Sequence, residues 1–230
     1  MRKQISFFQF FLSLAIGLYA FIMIIYFDLN YFNPKQFLFM TIWNFYLSTL
    51  YLVIVSICDF SLYIFKSKKL ENINAIFREN LSPAFTSLTY LVTFTFWVMI
   101  YPVLLKRGDK NFGLTTYINV YVHLILTVLQ TIDIFFSYRK NKGILIKYDF
   151  LVGAFIMGVY SILILIVVFI FDFPIYPFLN NMTWYKAIAE FILFQSMIFI
   201  FYLIHVGLIK LKYICKIFIL TEDDEKEKIE

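Results

Sequence analysis

The sequence has few of the charged residues that a soluble domain requires. Only 15% of its 230 residues are charged, whereas 62% are hydrophobic and 30 are phenylalanine. A soluble domain of this length needs far more polar surface, so the composition indicates an integral membrane protein. The sequence pI of about 9.0 does not point to nucleic acid as a partner, because the charges cluster in short strips between apolar runs.

Cysteine, histidine and glycine are too scarce for several kinds of site. The two cysteines, Cys58 and Cys215, cannot form a disulfide framework. The two histidines lie far apart without a cysteine cluster, and the H-E-x-x-H pattern is absent, which argues against a zinc site. The seven glycines form no phosphate-binding loop. We therefore expect no metal and no other cofactor.

Six apolar segments are each long enough to cross the roughly 30 Å hydrocarbon layer as a helix. Their apolar runs are continuous and do not alternate with polar residues, which favours helices over strands. The sequence therefore predicts an all-α polytopic membrane protein, with one six-helix transmembrane domain over residues 1–220 and a polar tail over 221–230. The predicted spans are about 5–27, 37–65, 83–105, 114–137, 150–172 and 185–211.

Lysine and arginine predict the orientation of this bundle. The N-terminus, residues 66–82, residues 138–149 and the C-terminal tail must share one side, and they hold most of the 20 lysines and arginines. That asymmetry places both termini in the cytosol or the mitochondrial matrix. The tail carries Lys226 and Lys228 in a K-x-K-x-x ending, which resembles a dilysine signal for retrieval to the endoplasmic reticulum. We expect that membrane, with the mitochondrial inner membrane and the plasma membrane as alternatives.

Ionisable residues inside a bilayer are costly and usually face the interior of the bundle. The candidates are Asp59, His123, Asp133, Glu190 and His205. His123 is expected to be neutral near pH 7, so it can either accept a proton or form a hydrogen bond between helices. Asp59 and Asp133 are expected to be structural acids. Their predicted partners are Arg139, Lys140, Lys66 and Lys68.

Without a cysteine or a G-x-S-x-G serine near His123, a hydroxyl remains as the candidate nucleophile. Thr41 lies about four residues into the second span, although membrane threonines commonly bond only to backbone carbonyls or neighbouring helices. Asn44 shares the helix face of Thr41, and Asn119 shares that of His123. These two asparagines are candidate oxyanion or orienting groups, or alternatively hydrogen bonds between helices.

An ordered set of motifs over residues 37–180 changes this weighing. The stretch from Phe39 to Phe60, FMTIWNFYLSTLYLVIVSICDF, resembles the second span of the androgen-induced-gene/FAR-17a family, with Thr41 and Asp59 at the family spacing. Four further features also resemble motifs of this family: Phe96-Trp97, Asn119-x-x-x-His123, Asp133 and Ile175-Tyr176-Pro177-Phe178-Leu179. The chain departs from the family pattern at Val120 and Ser48, where the family has histidine and glutamine.

This resemblance implies an activity. Members of the family are described as intramembrane threonine hydrolases that split fatty acid esters of hydroxy fatty acids. Carried over to this chain, the resemblance implies Thr41 as nucleophile and His123 as base, with membrane lipids and a lipid ester as partners and substrate. The alternative is a non-catalytic structural or assembly subunit of a larger membrane complex, which retains the family fold and binds protein partners.

Overall fold

The computed structural model describes residues 7–31, 38–102, 116–137, 147–172, 176 and 182–215. Six helices are long and apolar enough to cross a membrane, and no strand occurs in these ranges. The prediction of an all-α bundle of six membrane helices is therefore confirmed, while the orientation of the termini stays a prediction. Outside the described ranges lie Arg139, Lys140, Ile175, Pro177, Phe178, Leu179, Lys226 and Lys228.

The helices follow one another as α1 to α6. Helix α1 is Phe7–Tyr31, α2 is Met40–Phe65 and α3 is Lys68–Ile100. Helix α4 is continuous through Thr116–Val120, Tyr121–Ile125 and Leu126–Phe136. Helix α5 is Lys147–Phe171 and α6 is Trp184–Ile214.

Helix α3 begins well before the predicted start of the third span at residue 83. The sequence predicts a loop between the second and third spans, but residues 68–82 are helical. This part of the helix has the polar sequence KKLENINAIFREN, which a hydropathy pattern does not identify as part of a membrane span. It continues as a helix because Asn74 and Arg78, one turn apart, are both buried and hydrogen-bonded to each other.

Asp59 and Asp133 converge on Arg78, which was not among their predicted partners. The Arg78 guanidinium forms ion pairs with both carboxylates. Asn74 donates to Asp59 at 2.7 Å, and Tyr51 donates to Asp133 at 3.2 Å. This buried cluster (the arginine cluster hereafter) joins α2, α3 and α4. A buried guanidinium can remain charged there because two carboxylates and an amide satisfy its donors.

The helices fall into two groups that differ in burial. In the most apolar 18-residue stretch of each helix, 56% of α3 is buried inside the protein but only 11% of α5. We call α1 to α4 the inner helices, and α5 and α6 the outer helices. Small residues permit close helix approach: an added Cβ at Gly17 of α1 would lie 2.3 Å from Ser56 of α2. Large exposed apolar side chains occur on the outer helices and also on α1 and α2, as lipid contact requires.

Candidate functional site

A cavity lies where the outer helices meet α2 and α3. The cavity has a volume of roughly 70 Å³ and is partly open to its surroundings. The first turn of α2, the second half of α3, and parts of α5 and α6 form its walls, which consist mainly of methionine, leucine, isoleucine and phenylalanine. The polar side chains of the wall are Thr41, Thr95, Tyr160, Ser161, Tyr176 and Glu190. An apolar pocket with a few polar groups suits a lipid chain that carries one polar function.

Thr41 reaches this wall because it is the second residue of α2. Helix α2 begins at Met40, after an extended Phe39. The side chain of Thr41 is half-buried and lines the cavity. Of the predicted catalytic and oxyanion residues, the cavity wall formed by the described residues contains Thr41 alone.

Two tyrosine hydroxyls meet beside Thr41 at the start of α2. The hydroxyl oxygens of Tyr160 and Tyr176 lie 3.0 Å apart. The Met40 N–H donates to both, at 2.8 Å and 3.0 Å, and Tyr160 donates to the Leu38 carbonyl at 2.9 Å. We call these two residues the tyrosine pair. It satisfies backbone groups at the helix start and also lines the cavity.

Tyr176 lies outside the membrane-spanning helices, yet its phenol is deeply buried. Burial raises the pKa of Tyr176 above the ordinary value for tyrosine. The hydroxyl therefore keeps its proton over the physiological pH range. A protonated phenol beside Thr41 is a hydrogen-bond donor for any ligand oxygen that reaches this end of the cavity.

His123 lies in α4, next to the cavity wall but not in it. Its ring stacks on that of Phe96, with centroids 3.5 Å apart and planes 6° from parallel, and Phe96 lines the cavity. The imidazole is buried, and its Nδ1 has no hydrogen-bond partner among the described residues. Trp97 fixes the same turn by donating to the His123 carbonyl at 3.1 Å. The Phe96-Trp97 motif therefore holds the histidine segment in place.

Both partners in this contact lie in π-helical turns. Phe96 and Trp97 belong to a π-helical segment over Thr95–Ile100, and His123 belongs to another over Tyr121–Ile125. Such turns are rare and occur frequently at functional sites, because one wider turn redirects the side chains that follow it. His123 and Phe96, whose rings stack on each other, therefore both lie in irregular helical turns.

Neither candidate asparagine reaches the cavity wall. The Asn44 side-chain oxygen accepts hydrogen bonds from Ser48 at 3.0 Å and from Thr89 at 2.8 Å. Its amide nitrogen is buried without a partner in the described part of the chain. Asn119 is buried on α4. Asn44 thus forms a hydrogen-bonded contact between α2 and α3, at the position where Ser48 departs from the family pattern.

Glu190 of α6 contributes a carboxylate to the cavity wall. The sequence indicated only that it lies near one end of the last span. Among the described residues, no group of three or more histidine, cysteine, aspartate or glutamate side chains could hold a metal ion. The chemistry available at the wall is that of hydroxyls, one carboxylate and the adjacent imidazole.

Sequence reasoning missed the tyrosine pair. Tyr176 belongs to the quoted stretch Ile175-Tyr176-Pro177-Phe178-Leu179, so a signal for this residue existed. Tyr160 lies in the apolar run GVYSILILIV, and nothing in the sequence distinguishes it from the other tyrosines among the 17 of the chain. Its role depends on contacts with Leu38 and Met40, which are more than 100 residues away in the chain.

Comparison with known proteins gives one finding. The family model described as FAR-17a/AIG1-like protein matches residues 5–210. No curated protein and no solved structure matches the chain. The match includes all six helices, with only the last residues of α6 beyond it.

Proposed function

The chain belongs to the FAR-17a/AIG1-like protein family, and from that premise we propose that it is an intramembrane lipid ester hydrolase. Thr41 is the nucleophile and His123 is the general base. The substrate class is a fatty acid ester of a hydroxy fatty acid, as the family resemblance suggests. The endoplasmic reticulum is the proposed membrane, with both termini on the cytosolic side.

The observation that carries this proposal is the position of Thr41. Its side chain lines a mainly apolar cavity whose wall also includes Tyr160, Tyr176 and Glu190. A long acyl chain partitions into the bilayer and fits walls of methionine, isoleucine and phenylalanine. Its ester group would lie at the polar end of the cavity. A threonine that only tied one helix to the next would not need such a cavity.

The reaction proceeds through an acyl-threonine intermediate. The Thr41 oxygen attacks the ester carbonyl carbon while His123 takes the hydroxyl proton, because threonine is a poor nucleophile without a base. The bond to the alkoxy oxygen then breaks, and His123 returns the proton to that oxygen, which releases the hydroxy fatty acid. Water, activated by the same imidazole, hydrolyses the acyl-Thr41 ester and releases the fatty acid. General base catalysis of this kind typically contributes about 10²- to 10⁴-fold.

Phe96 must move for this chemistry to occur. In the structure its ring stacks on the imidazole and also lines the cavity, whereas His123 does not line it. The proposal therefore includes a turn of the Phe96 side chain when the substrate's acyl chain fills the cavity. The buried, unpartnered Nδ1 of His123 then faces a polar partner for the first time.

The first test combines fluorophosphonate labelling with hydrolysis of a defined fatty acid ester of a hydroxy fatty acid by the detergent-purified protein. Thr41→Ala and His123→Ala should each abolish both signals. Matched controls are Thr49→Ala, on the same helix but away from the cavity, and His205→Ala, the other histidine. Both control residues are fully buried, so the melting temperature of each variant is measured alongside.

Two results would contradict the hydrolase. One is a folded wild-type protein that neither reacts with the probe nor hydrolyses the ester. The other is activity that survives Thr41→Ala. In the first case the non-catalytic subunit of a membrane complex becomes the working hypothesis, and native purification with mild crosslinking would look for its protein partners.

A further inference from the structure

The tyrosine pair occupies the end of the cavity where the backbone of α2 begins, one residue before Thr41. Both phenols line the cavity, and Tyr160 is only 2% exposed. The candidate oxyanion groups from the sequence, Asn44 and Asn119, are not in the cavity wall. We propose that Tyr176, positioned by Tyr160, binds the carbonyl oxygen of the ester and stabilises the oxyanion that forms on it, an inference that rests on the proposed hydrolase function.

The geometry ties this donor group to the nucleophile. The Met40 N–H donates to both tyrosine oxygens at 2.8 Å and 3.0 Å, and Met40 is covalently bonded to Thr41. The hydroxyls and the nucleophile are therefore fixed to the same first turn of α2. An oxyanion site needs donor atoms whose positions are fixed before the reaction.

The hydrogen bonds of the pair differ between its two members. Tyr160 donates to the Leu38 carbonyl at 2.9 Å, which uses its single proton. The two hydroxyls are also hydrogen-bonded to each other at 3.0 Å. A phenol hydroxyl rotates about its C–O bond, so Tyr176 can exchange its bond with Tyr160 for one with a ligand carbonyl. Tyr160 then positions Tyr176, and Tyr176 is the donor that touches the substrate.

A purely structural role predicts different behaviour. If the pair only satisfies the N–H of Met40 at the helix start, either hydroxyl is sufficient, and a phenylalanine substitution lowers the melting temperature without a specific effect on the reaction. If the pair stabilises the oxyanion, Tyr176→Phe lowers kcat with little change in KM. The reason is that the hydrogen bond strengthens only as negative charge develops on the oxygen.

The kinetic experiment compares wild type, Tyr176→Phe, Tyr160→Phe and Tyr90→Phe. We expect Tyr176→Phe to lower kcat by about 10²- to 10³-fold, the range for removal of one oxyanion donor. Tyr160→Phe should have a smaller effect on kcat. Tyr90 is the matched control, because its hydroxyl bonds to Thr131 at 2.8 Å, away from the cavity. An active wild type with unchanged kcat in Tyr176→Phe would overturn this inference and leave the hydrolase intact.

A second measurement does not depend on turnover. An ester with a ¹³C-labelled carbonyl is bound to Thr41→Ala and to the double variant Thr41→Ala/Tyr176→Phe, and its carbonyl stretch is recorded by infrared difference spectroscopy. A hydrogen bond from Tyr176 predicts a lower frequency in the single variant than in the double variant. Equal frequencies would refute carbonyl binding by the tyrosine. A shift in a protein that never hydrolyses the ester would support the carbonyl site and reject the proposed hydrolase.

Discussion

The inner and outer helices solve different physical problems. The inner helices bury their polar side chains against each other, and the arginine cluster satisfies two carboxylates and a guanidinium in one place. The outer helices carry few buried polar groups and leave much of their apolar surface exposed. The cavity lies between the two groups. Under the proposed function, the inner helices hold the side chains that react, and lipid chains reach them from the side of the outer helices.

The two ends of α2 also differ: one carries a buried ion pair, and the other faces the cavity. Asp59 lies 19 residues before Arg78 in the chain, and its carboxylate is fully engaged by Arg78 and Asn74. Thr41, near the opposite end of α2, faces a cavity. Eighteen residues of helix place these ends about 27 Å apart. The ion pairs at one end stabilise the bundle, and the end that faces the cavity is the one proposed to act on substrate.

The largest effect on stability is expected at the arginine cluster. Arg78→Met leaves two buried carboxylates without their cation, and removing one partner of a buried ion pair typically costs about 3–5 kcal/mol. We expect little folded protein, measured as the monodisperse fraction after detergent extraction and by thermal unfolding. Lys69→Met, at an exposed position of the same helix, should behave as wild type.

The same cluster offers a rescue test. The triple variant Arg78→Met/Asp59→Asn/Asp133→Asn removes all three charges and should recover much of the lost stability, because no unpaired charge remains buried. If Arg78→Met alone were as stable as wild type, the arginine cluster would not be what holds α2, α3 and α4 together.

A smaller effect is expected where α1 crosses α2. Gly17→Ala would place a Cβ 2.3 Å from the Ser56 side chain, and overpacking of this kind typically costs about 1–3 kcal/mol. Gly207 lies in the outer helix α6, and an added Cβ would meet nothing within 4 Å apart from the neighbouring backbone of its own helix. Gly207→Ala should therefore be neutral, or stabilise the helix by roughly 0.5–1 kcal/mol. Equal destabilisation of both variants in thermal unfolding would remove the distinction between inner and outer helices.

The last effect, on activity rather than on stability, is expected at the cavity itself. Ala187 of α6 lines the cavity, whereas the next residue, Ile188, is 60% exposed. Ala187→Phe fills space that an acyl chain would occupy, so we expect hydrolysis of long-chain esters to fall at least about tenfold, or roughly 1.4 kcal/mol in transition-state binding. Ile188→Phe should leave activity unchanged.

Short-chain esters sharpen this last test. If the cavity binds the acyl chain, Ala187→Phe should affect a short ester less than a long one, measured as the ratio of kcat/KM values. An equal loss for both chain lengths would indicate damage to Thr41 or its surroundings. No loss for either would show that the acyl chain binds elsewhere.

Much of the fold follows from the sequence because continuous apolar runs have one solution in lipid, the helix. The start of α3 did not follow, since Arg78 looks like a loop residue until Asp59 and Asp133 are close in space. Those carboxylates are separated from it by 19 and 55 residues in the chain. Burial of an arginine depends on such long-range pairing, which no local pattern records.

The candidate site could be predicted only in part from the sequence. Thr41 and His123 were identified through the family resemblance, and the cavity beside Thr41 supports a role for the first of them. Their roles remain predictions. Tyr160 had no local signal, because a tyrosine in an apolar run is ordinary until its hydroxyl is seen to meet Leu38 and Tyr176. The π-helical turns at Phe96 and His123 likewise depend on packing between α3 and α4.

The most direct test of the central claim is to trap the acyl-threonine intermediate. The purified protein is mixed with a fatty acid ester of a hydroxy fatty acid, quenched in acid within the first turnover, digested and analysed by peptide mass spectrometry. The account predicts that the peptide containing Thr41 gains the mass of the fatty acyl group, and that Thr41→Ala gains none. Acylation of another residue, or hydrolysis with no acylated peptide at any quench time, would contradict it.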